Sequence, residues 1–415
     1  MKTAMLMVLA LAACERTSDK YCEQGGTGFG TAACAMHDVD GGSDTPPIDA
    51  FECTMDGYDP TECTDATQPI CTLSAGTCGP CTSNDQCAGS NVCFLETGEC
   101  ATEDSTAFVN PQFIGTEDPT CTQAAPCKSM AHALTVTSKS HYYLLGTVSD
   151  ATTFTRDAVV AAAPGMGFVV LTDTTNLSAV QVTGGHAIVS DMVITATGAD
   201  GGLGLDVTTN GVARAARVKF TTSTVADVKS AGGVTIDQCE FTDGHGLSIV
   251  VTGGTYAVTN SLFTQMVGGS VTQPPVQLTG VGTFEFNTIY KLAASTGGRA
   301  KGVECSTGGT VAFNIIFGET GSGSAASITS NNCSAHTNLV DKADSGDTAE
   351  IVQTGAPFSG TGANESGFVP TAGSQPIQAA VNAQLQGDLS TDHLGVARPS
   401  PSGTNADLGA FESPN

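Results

Sequence analysis

The sequence predicts an all-β solenoid, on two observations. The first is a repeat between Tyr143 and Val340, in which an apolar residue recurs about once every two dozen positions. The second is composition, since only 13% of residues are charged and 50 of the 415 are glycine, which is typical of stacked β-coils rather than of a helical enzyme. The apolar series predicts about nine coils and consists of Leu145, Val170, Ile194, Phe220, Phe241, Phe263, Tyr290, Phe317 and Val340.

Each coil is predicted to carry two short strands. One ends in the apolar series, as in VTIDQCEF and YAVTNSLF, and the other reads as in GLGLDV and GLSIVV. The second set predicts another internal row, with one side chain above the next at the inter-strand spacing of about 4.8 Å. That row consists of Leu205, Val228, Ile249, Leu278 and Val303.

Four asparagines, Asn260, Asn287, Asn314 and Asn338, each stand two or three residues before a member of the apolar series. Asparagines at equivalent turns can stack and hydrogen-bond along the column. The alternative is a ligand site. Buried amides normally satisfy one another, so the ladder is interpreted as structural.

The N-terminus predicts export. Lys2 precedes an apolar run from Ala4 to Ala13 that is too short to span a bilayer and is followed directly by Cys14. The stretch Leu11-Ala12-Ala13-Cys14 resembles a bacterial lipoprotein signal. The resemblance implies that residues 1–13 are removed and that Cys14 carries diacylglycerol, which anchors the chain to a bacterial membrane, expected to be the outer membrane or the cell surface. The alternative is an ordinary signal peptide with an unrelated cysteine.

Residues 14–50 are acidic, poor in large apolar side chains and interrupted by Pro46-Pro47, which predicts a disordered tether. Residues 51–104 contain eight cysteines between Cys53 and Cys100. A segment this short buries little core, so cross-links must stabilise it. Zinc or a redox pair at Cys78-Gly-Pro-Cys81 is the alternative, but export and the lack of histidine favour disulfides. The clearest candidates are Cys78, Cys81, Cys87, Cys93 and Cys100.

The remaining cysteines support this division. Cys121 and Cys127 are close enough to pair with each other, and Cys305 and Cys333 lie about one coil apart, so they could pair between coils. Cys239 is left over and is expected to be a buried thiol, with a reactive thiol as the alternative.

Residues 105–142 are predicted to cap the first coil. Pro126, Met130, Ala133 and Leu134 indicate a short amphipathic helix that would cover an open strand edge. The pattern APxKSMxxAL from Ala125 to Leu134 resembles the start of bacterial proteins of the pectin-lyase-like superfamily. That resemblance implies a right-handed parallel β-helix over residues 143–340.

Residues 341–415 are predicted to close the solenoid. The ending TDHLGVARPSPSGTNADLGAFE resembles the closing block of β-helix surface proteins of the choice-of-anchor Q type. The resemblance implies that this block completes the last coil.

One segment points to catalysis. Gly244-His245-Gly246-Leu247-Ser248-Ile249 resembles a segment of polygalacturonases, which are β-helix hydrolases. That reaction needs two carboxyls around the scissile bond, yet the stretch one coil earlier, Thr222 to Val225, contains no acid. Arg299 and Lys301 resemble the Arg-x-Lys of that family but fall one coil too late.

A lyase would need clustered acids for calcium and a nearby base. Asp237, Glu240, Asp243 and His245 are close in sequence, but 41 of 415 residues are acids, so a chance cluster is expected. Calcium is therefore not supported and no cofactor is expected. The basic patch of Arg214, Arg217 and Lys219 is expected to pair with charges on neighbouring turns.

Composition narrows the function. A net charge of −26 repels phosphate backbones, so no nucleic-acid partner is expected. The expected function is a lipid-anchored, non-catalytic surface protein for display, adhesion or binding of glycan or protein. The alternative is a hydrolase or lyase of uronic-acid polymers near His245.

Overall fold

The computed structural model describes most of the chain from residue 57 onward. The described residues are 57–58, 63–72, 77–172, 178–198, 202–221, 225–242, 247–264, 267–268, 274–294, 301–318, 326–342, 350–353, 357–358, 368–371, 374, 376, 378–380, 383, 385–399 and 404–413. The predicted signal peptide, Cys14 and the tether lie outside these residues. Within the described part, no helix has both the length and the hydropathy that crossing a membrane requires.

The described elements are almost all strands. In chain order they are β1 (Gly57–Tyr58), β2 (Ile70–Thr72), β3 (Thr77–Gly79), β4 (Cys93–Phe94), β5 (Glu99–Cys100), β6 (Thr106–Val109), α1 (Met130–Thr135), β7 (His141–Leu144), β8 (Thr152–Phe154), β9 (Ala158–Ala162), β10 (Gly167–Thr172), β11 (Ser178–Val182), β12 (Gly185–Gly198), β13 (Leu203–Val207), β14 (Gly211–Thr221), β15 (Ala226–Ser230), β16 (Gly233–Asp237), β17 (Glu240–Thr242), β18 (Leu247–Val251), β19 (Thr255–Thr259), β20 (Leu262–Thr264), β21 (Val267–Gly268), β22 (Val276–Thr279), β23 (Val281–Glu285), β24 (Thr288–Ala294), β25 (Val303–Thr307), β26 (Thr310–Ala312), β27 (Ile315–Gly318), β28 (Ile328–Ser330), β29 (Ser334–His336), β30 (Leu339–Val340) and β31 (Ile351–Val352). Short 3-10 helices span Asn84–Gln86 and Gly387–Ser390.

The strands from β6 onward form a parallel β-solenoid, which confirms the predicted fold class. Strands β8, β11, β13, β15, β18, β22, β25 and β28 form an eight-stranded sheet, and the others form an eighteen-stranded sheet. All ladders within these two sheets are parallel, for example β12 with β14 and β18 with β22.

The prediction of about nine coils is slightly too high, since the solenoid has about six full turns. Six strands of the eight-stranded sheet have four or five residues. Three-residue strands, β8 and β28, extend that sheet at its two ends. The apolar series therefore overcounted because it included partial turns.

Parallel registers define the inner apolar column. It runs through Phe168, Ile194, Phe220, Phe241, Phe263, Ile289, Ile316 and Val340. The rings of Phe220, Phe241 and Phe263 stack with centroid distances of 5.0 and 4.5 Å. All members are buried in one continuous core, so each turn is stabilised by the turns before and after it.

Several members of the predicted rows are out of register. Tyr290 and Phe317 lie one residue beyond the inner column, because Thr264 pairs with Tyr290 and Tyr290 pairs with Phe317. A one-residue shift turns the side chain to the other face of the strand. Val170 pairs with Ala196, two residues past Phe168, and Leu145 packs against the cysteine-rich module instead.

In the second predicted row, the position assigned to Leu278 is occupied by Val276. Ile249 pairs with Val276, whereas Leu278 pairs with Val251 and Cys305. Leu278 is still buried, because residues two apart on a strand face the same side.

A sharp corner interrupts each turn just before the inner column. One residue per turn adopts a left-handed backbone conformation with φ between 51 and 60° at Asp191, Arg217, Gln238, Asn260, Phe286, Phe313 and Thr337. The next residue in each turn points into the stack. At three successive turns that residue is Asn287, Asn314 and Asn338.

The asparagine ladder exists in part. Asn314 Oδ1 accepts from the Asn287 backbone N–H at 2.8 Å and from Asn287 Nδ2 at 3.2 Å, and Asn338 Oδ1 accepts from Asn314 in the same way. The prediction that Asn260 belongs to this ladder is wrong. Asn260 occupies the corner itself, and its neighbour Ser261 takes the ladder position by donating its backbone N–H to Asn287 Oδ1 at 3.0 Å.

The start of the solenoid is covered by the loop closed by the Cys121–Cys127 disulfide. Phe108 of β6 donates its N–H to the Cys121 carbonyl and accepts from the Cys127 N–H. Helix α1 lies at the predicted place and buries Met130 and Ala133. Met130 and Ala133 belong to the same core as Ala107 and Val109 of β6, so the predicted capping helix is confirmed. The hydrogen bonds to β6 come from the disulfide-closed loop and not from the helix.

Residues 63–72 and 77–104 belong to a disulfide-rich module. It contains the bridges Cys63–Cys78, Cys81–Cys93 and Cys87–Cys100, and Cys71 is also disulfide-bonded. The sulfurs of Cys81, Cys87 and Cys93 lie within 4.8 Å of one another. Each is oxidised in a disulfide, so this group offers no thiolate to a metal.

The module packs against the side of the solenoid. Val92 and Phe94 share a buried cluster with Phe108, Tyr143 and Ala161 of the first turns. Further along the solenoid, Cys305 and Cys333 form a disulfide that joins neighbouring turns.

The closing segment covers the outer face of the last turns. Leu408 and Phe411 are buried with Ile315 and Phe317. The backbone of Gly409 has a φ of +86°, and a Cβ there would lie 2.7 Å from both Ile315 and Thr288. Only glycine therefore allows this close approach.

Candidate functional site

Five charged residues singled out in the sequence come together on one side of the solenoid, here called the charged flank: Arg214, Arg217, Lys219, Asp237 and Glu240. It is formed by residues of β12, β14, β16 and β17 and by their partners from other segments. Its members are Asp191, Arg214, Arg217, Lys219, Asp237 and Glu240, joined by Glu96 of the module and Asp388 of the closing segment.

Arg214 is the centre of the flank. Its guanidinium donates to Glu96 at 2.5 Å and makes two hydrogen bonds with Asp388 at 2.7 and 2.9 Å. Burial by itself would lower the pKa of Arg214, but the hydrogen bonds that it donates to Asp388 and Glu96 raise the pKa overall. A two-bond contact fixes orientation as well as charge. Arg214 therefore binds two segments that are remote in sequence to the same turn.

Arg217 makes a parallel set of contacts. Its guanidinium donates to both carboxylate oxygens of Asp191 at 2.6 and 3.0 Å, and to Glu96 at 2.6 Å. Glu96 thus bridges two arginines with its two oxygens. The expected pairing of the basic patch is confirmed, but the expectation of partners on neighbouring turns is incomplete, because Glu96 and Asp388 come from other segments.

Asp237 lies beneath this arrangement. Only 4% of the residue is exposed, and one carboxylate oxygen accepts from Thr259 Oγ1 at 2.7 Å and from Asn260 Nδ2 at 2.8 Å. Burial raises the pKa of Asp237 above its ordinary value, partly offset by these two hydrogen bonds. Its other oxygen lies 3.7 Å from Arg214. The carboxylate is therefore occupied by the protein's own groups.

A polar pocket of about 180 Å³ opens beside the flank. Lys219 and Glu240 line it and pair with each other at 2.8 Å. His393 of the closing segment forms another wall, and its ring nitrogen lies 2.8 Å from the Asn260 carbonyl. The pocket thus combines a carboxylate, an ammonium and an imidazole on the same side of the solenoid.

The remaining catalytic candidates are separated from this pocket or lie outside the described residues. Asp243, His245 and Arg299 are outside them. Lys301 lies two residues before β25 of the eight-stranded sheet, where β22 separates β25 from β18. Asp237, by contrast, ends β16 of the eighteen-stranded sheet, so the structure does not bring Lys301 and Asp237 together in one sheet.

Cys239 is the free cysteine of the described chain and is fully buried, as expected. Burial raises the pKa of its thiol to about 12. Its sulfur lies 3.4 Å from the Asp237 carbonyl and 3.5 Å from the Ala215 carbonyl. A protonated, enclosed thiol does not act as a nucleophile.

Sequence reasoning missed the residues that complete the flank. Glu96 is 118 positions from Arg214 and Asp388 is 174 positions away. No local pattern could indicate these pairs, because they depend on how the module and the closing segment pack. Arg398 was also missed. It is buried among Asn260, Gly409 and Glu412, and its guanidinium lies over the Phe286 ring at 4.4 Å.

Comparison with known proteins does not extend these findings. No protein-family model matches the chain, and no curated protein matches it.

Proposed function

We propose that the protein is a lipid-anchored, exported β-solenoid that displays a binding surface and does not itself cleave its ligand. The observation that carries this proposal is the state of Asp237. A general acid must reach the glycosidic oxygen, and a general base must reach the attacking water. Asp237 is instead buried, and one of its carboxylate oxygens already accepts hydrogen bonds from Thr259 and Asn260.

The outer face of the eight-stranded sheet is the proposed binding surface. Its register aligns one outward side chain per turn, and these side chains are half-buried or exposed: Thr153, Gln181, Asp206, Lys229, Val250, Gln277, Glu304 and Thr329. Amides, carboxylates and an ammonium recur about every 4.8 Å along this column. Such a row of donors and acceptors suits a hydroxyl-rich glycan or an extended protein segment.

The rival function is a hydrolase or lyase of uronic-acid polymers with a site near His245. The polar pocket of Lys219, Glu240 and His393 favours this rival, because Glu240 precedes Asp243 and His245 by a few residues. The two functions predict opposite results in one assay.

The protein, purified without residues 1–14, is incubated with polygalacturonate and alginate, with and without calcium. Reducing ends and unsaturated products are measured for the wild type, His245→Ala, Asp237→Asn and Glu240→Gln. Our proposal predicts no product from any of the four proteins. Product that disappears in His245→Ala would establish the rival function.

Binding is tested on the same polymers and on neutral glycans by affinity electrophoresis. We expect the double variant Asp206→Ala/Gln277→Ala to lose retention, while the matched double variant Lys219→Ala/Glu240→Ala on the charged flank keeps it. Loss of retention only in Lys219→Ala/Glu240→Ala would show that the ligand binds at the polar pocket and not on the eight-stranded sheet.

Anchoring is tested separately by expressing the full chain with Cys14→Ser. We expect the wild type to fractionate with membranes and to incorporate a labelled fatty acid, and the variant to do neither. Membrane fractionation that survives Cys14→Ser would contradict the lipid anchor.

A further inference from the structure

A second cavity, of about 350 Å³, lies where the cysteine-rich module meets the first turns of the solenoid. Leu95 and Asn84 of the module form one side, and Tyr143, Ala161, Ala162 and Asp191 of the solenoid form the other. Its volume is within the range of small-molecule sites, and such sites are found preferentially between packed domains. The charged flank is adjacent, since Asp191 contributes to both.

Tyr143 gives this cavity a polar group. The residue is 5% exposed, and its ring packs edge-on against Phe94 and Phe108 with centroid distances of 6.3 and 6.2 Å. Among the residues that the structure describes, none forms a hydrogen bond with its hydroxyl. Tyr143 lines the cavity, so its hydroxyl can donate to a group that enters there.

The Tyr143 hydroxyl is a donor at neutral pH. Burial raises the pKa of Tyr143 above its ordinary value, and the negative charge of Asp191 raises it further. The carboxylate of Asp191 accepts from Arg217 with both oxygens. Asp191 therefore needs no hydrogen-bond donor from the ligand.

The other walls define the body of the ligand. Leu95, Ala161 and Ala162 present methyl and methylene groups, so most of the cavity surface is apolar. Asp191 on one wall and the net charge of −26 disfavour an anion. The cavity thus matches an uncharged molecule with an apolar body.

We propose that this cavity binds a small, uncharged, largely apolar molecule whose carbonyl oxygen accepts a hydrogen bond from the Tyr143 hydroxyl. Leu95 is 41% exposed at the module side and leaves a route of entry from solvent. The site is independent of the proposed binding surface on the eight-stranded sheet.

Three probes of similar size test the proposal on the intact, oxidised protein. Acetophenone has an apolar ring and a carbonyl, toluene lacks the carbonyl, and benzoate carries a charge. Binding is titrated by saturation-transfer NMR. We expect acetophenone to bind about five to tenfold more tightly than toluene, which corresponds to one neutral hydrogen bond, and benzoate not to bind.

Variants locate the site. Tyr143→Phe should abolish the preference for acetophenone over toluene, whereas Tyr256→Phe, whose hydroxyl contacts Cys305 in the core, should keep it. Ala161→Leu fills the cavity and should weaken both uncharged probes at least tenfold. Leu95→Asp changes an exposed position and should also weaken binding of the two uncharged probes. This variant tests the site even if Ala161→Leu does not fold.

Each contrary outcome overturns the proposal. These outcomes are no saturation transfer to acetophenone in the wild type, an unchanged preference in Tyr143→Phe, or unchanged binding in Leu95→Asp. Melting temperatures of all variants, measured by circular dichroism, establish that the compared proteins are folded.

Discussion

Arg214 of the solenoid and Glu96 of the cysteine-rich module form an ion pair of 2.5 Å across 118 positions of sequence. The same guanidinium binds Asp388 of the closing segment through two hydrogen bonds. One side chain in the middle of the solenoid therefore connects the segments that precede and follow it.

Arg214→Ala should destabilise the protein by about 3 kcal/mol. Removing one partner of a largely buried pair leaves uncompensated charge, and here three carboxylates, those of Glu96, Asp237 and Asp388, would remain close together. Breaking a buried ion pair typically costs about 3–5 kcal/mol, and the lower value is expected here because Arg214 is partly exposed. Urea unfolding followed by circular dichroism measures it.

Lys229→Ala is the matched control, because Lys229 is an exposed cation on the eight-stranded sheet. We expect a change within about 0.5 kcal/mol. Equal effects of the two substitutions would mean that Arg214 does not connect the segments.

Asp237 should make stability depend on pH. Its folded pKa is raised above the ordinary value by burial, so the folded state holds the proton more tightly than the unfolded state. Its contribution is complete at pH below the ordinary value of 3.8 and decreases as pH rises through the raised folded pKa. Asp237→Asn should therefore stabilise the protein at pH 7 relative to the wild type and make little difference near pH 3.

Thermal unfolding across this pH range tests the Asp237 prediction, with the exposed Asp150→Asn as control. A loss of stability at pH 7 in Asp237→Asn would show that the contact with Arg214 outweighs burial.

Asn314→Ala should cost roughly 2–4 kcal/mol, since it leaves several buried backbone and amide groups without partners. Asn314 accepts from Asn287 and donates to Phe284, Ala312 and Asn338. Gln277→Ala, on the outer face of the other sheet, should change stability by less than about 0.5 kcal/mol. Amide hydrogen exchange should show a loss of protection at β23 and β26 in Asn314→Ala. Protection equal to that of the wild type would contradict the stabilising role of the ladder.

Reduction of the disulfides should open the module and retain most of the β signal. The bridges Cys81–Cys93 and Cys87–Cys100 hold the hairpin that carries Glu96, so the melting temperature of the solenoid should fall as Glu96 is released. Proteolysis with and without reductant measures cleavage between residues 77 and 104. Collapse of the far-ultraviolet β signal at 25 °C would show instead that the solenoid requires its disulfides.

The repeat could be read from sequence because each turn buries an apolar residue at the same place. Phe220, Phe241 and Phe263 were predicted as neighbours and do stack. The assignment failed at Tyr290 and Phe317, where two adjacent positions are apolar. Their outer face is also buried, since Tyr290 packs on Phe358 and Phe368. Spacing in sequence does not distinguish an inner apolar face from an outer one that another segment covers.

The sequence by itself determined the stacked β architecture, the disulfide-rich module and the pairing of the basic patch with acids. These follow from periodicity, cysteine density and charge balance, which are local or compositional properties. Only the tertiary structure decided which acids meet Arg214 and Arg217, that Asp237 is buried, and that Tyr143 faces a cavity. Those outcomes depend on where the module and the closing segment pack against the solenoid, and contacts between segments more than a hundred residues apart leave no periodic signal in the chain.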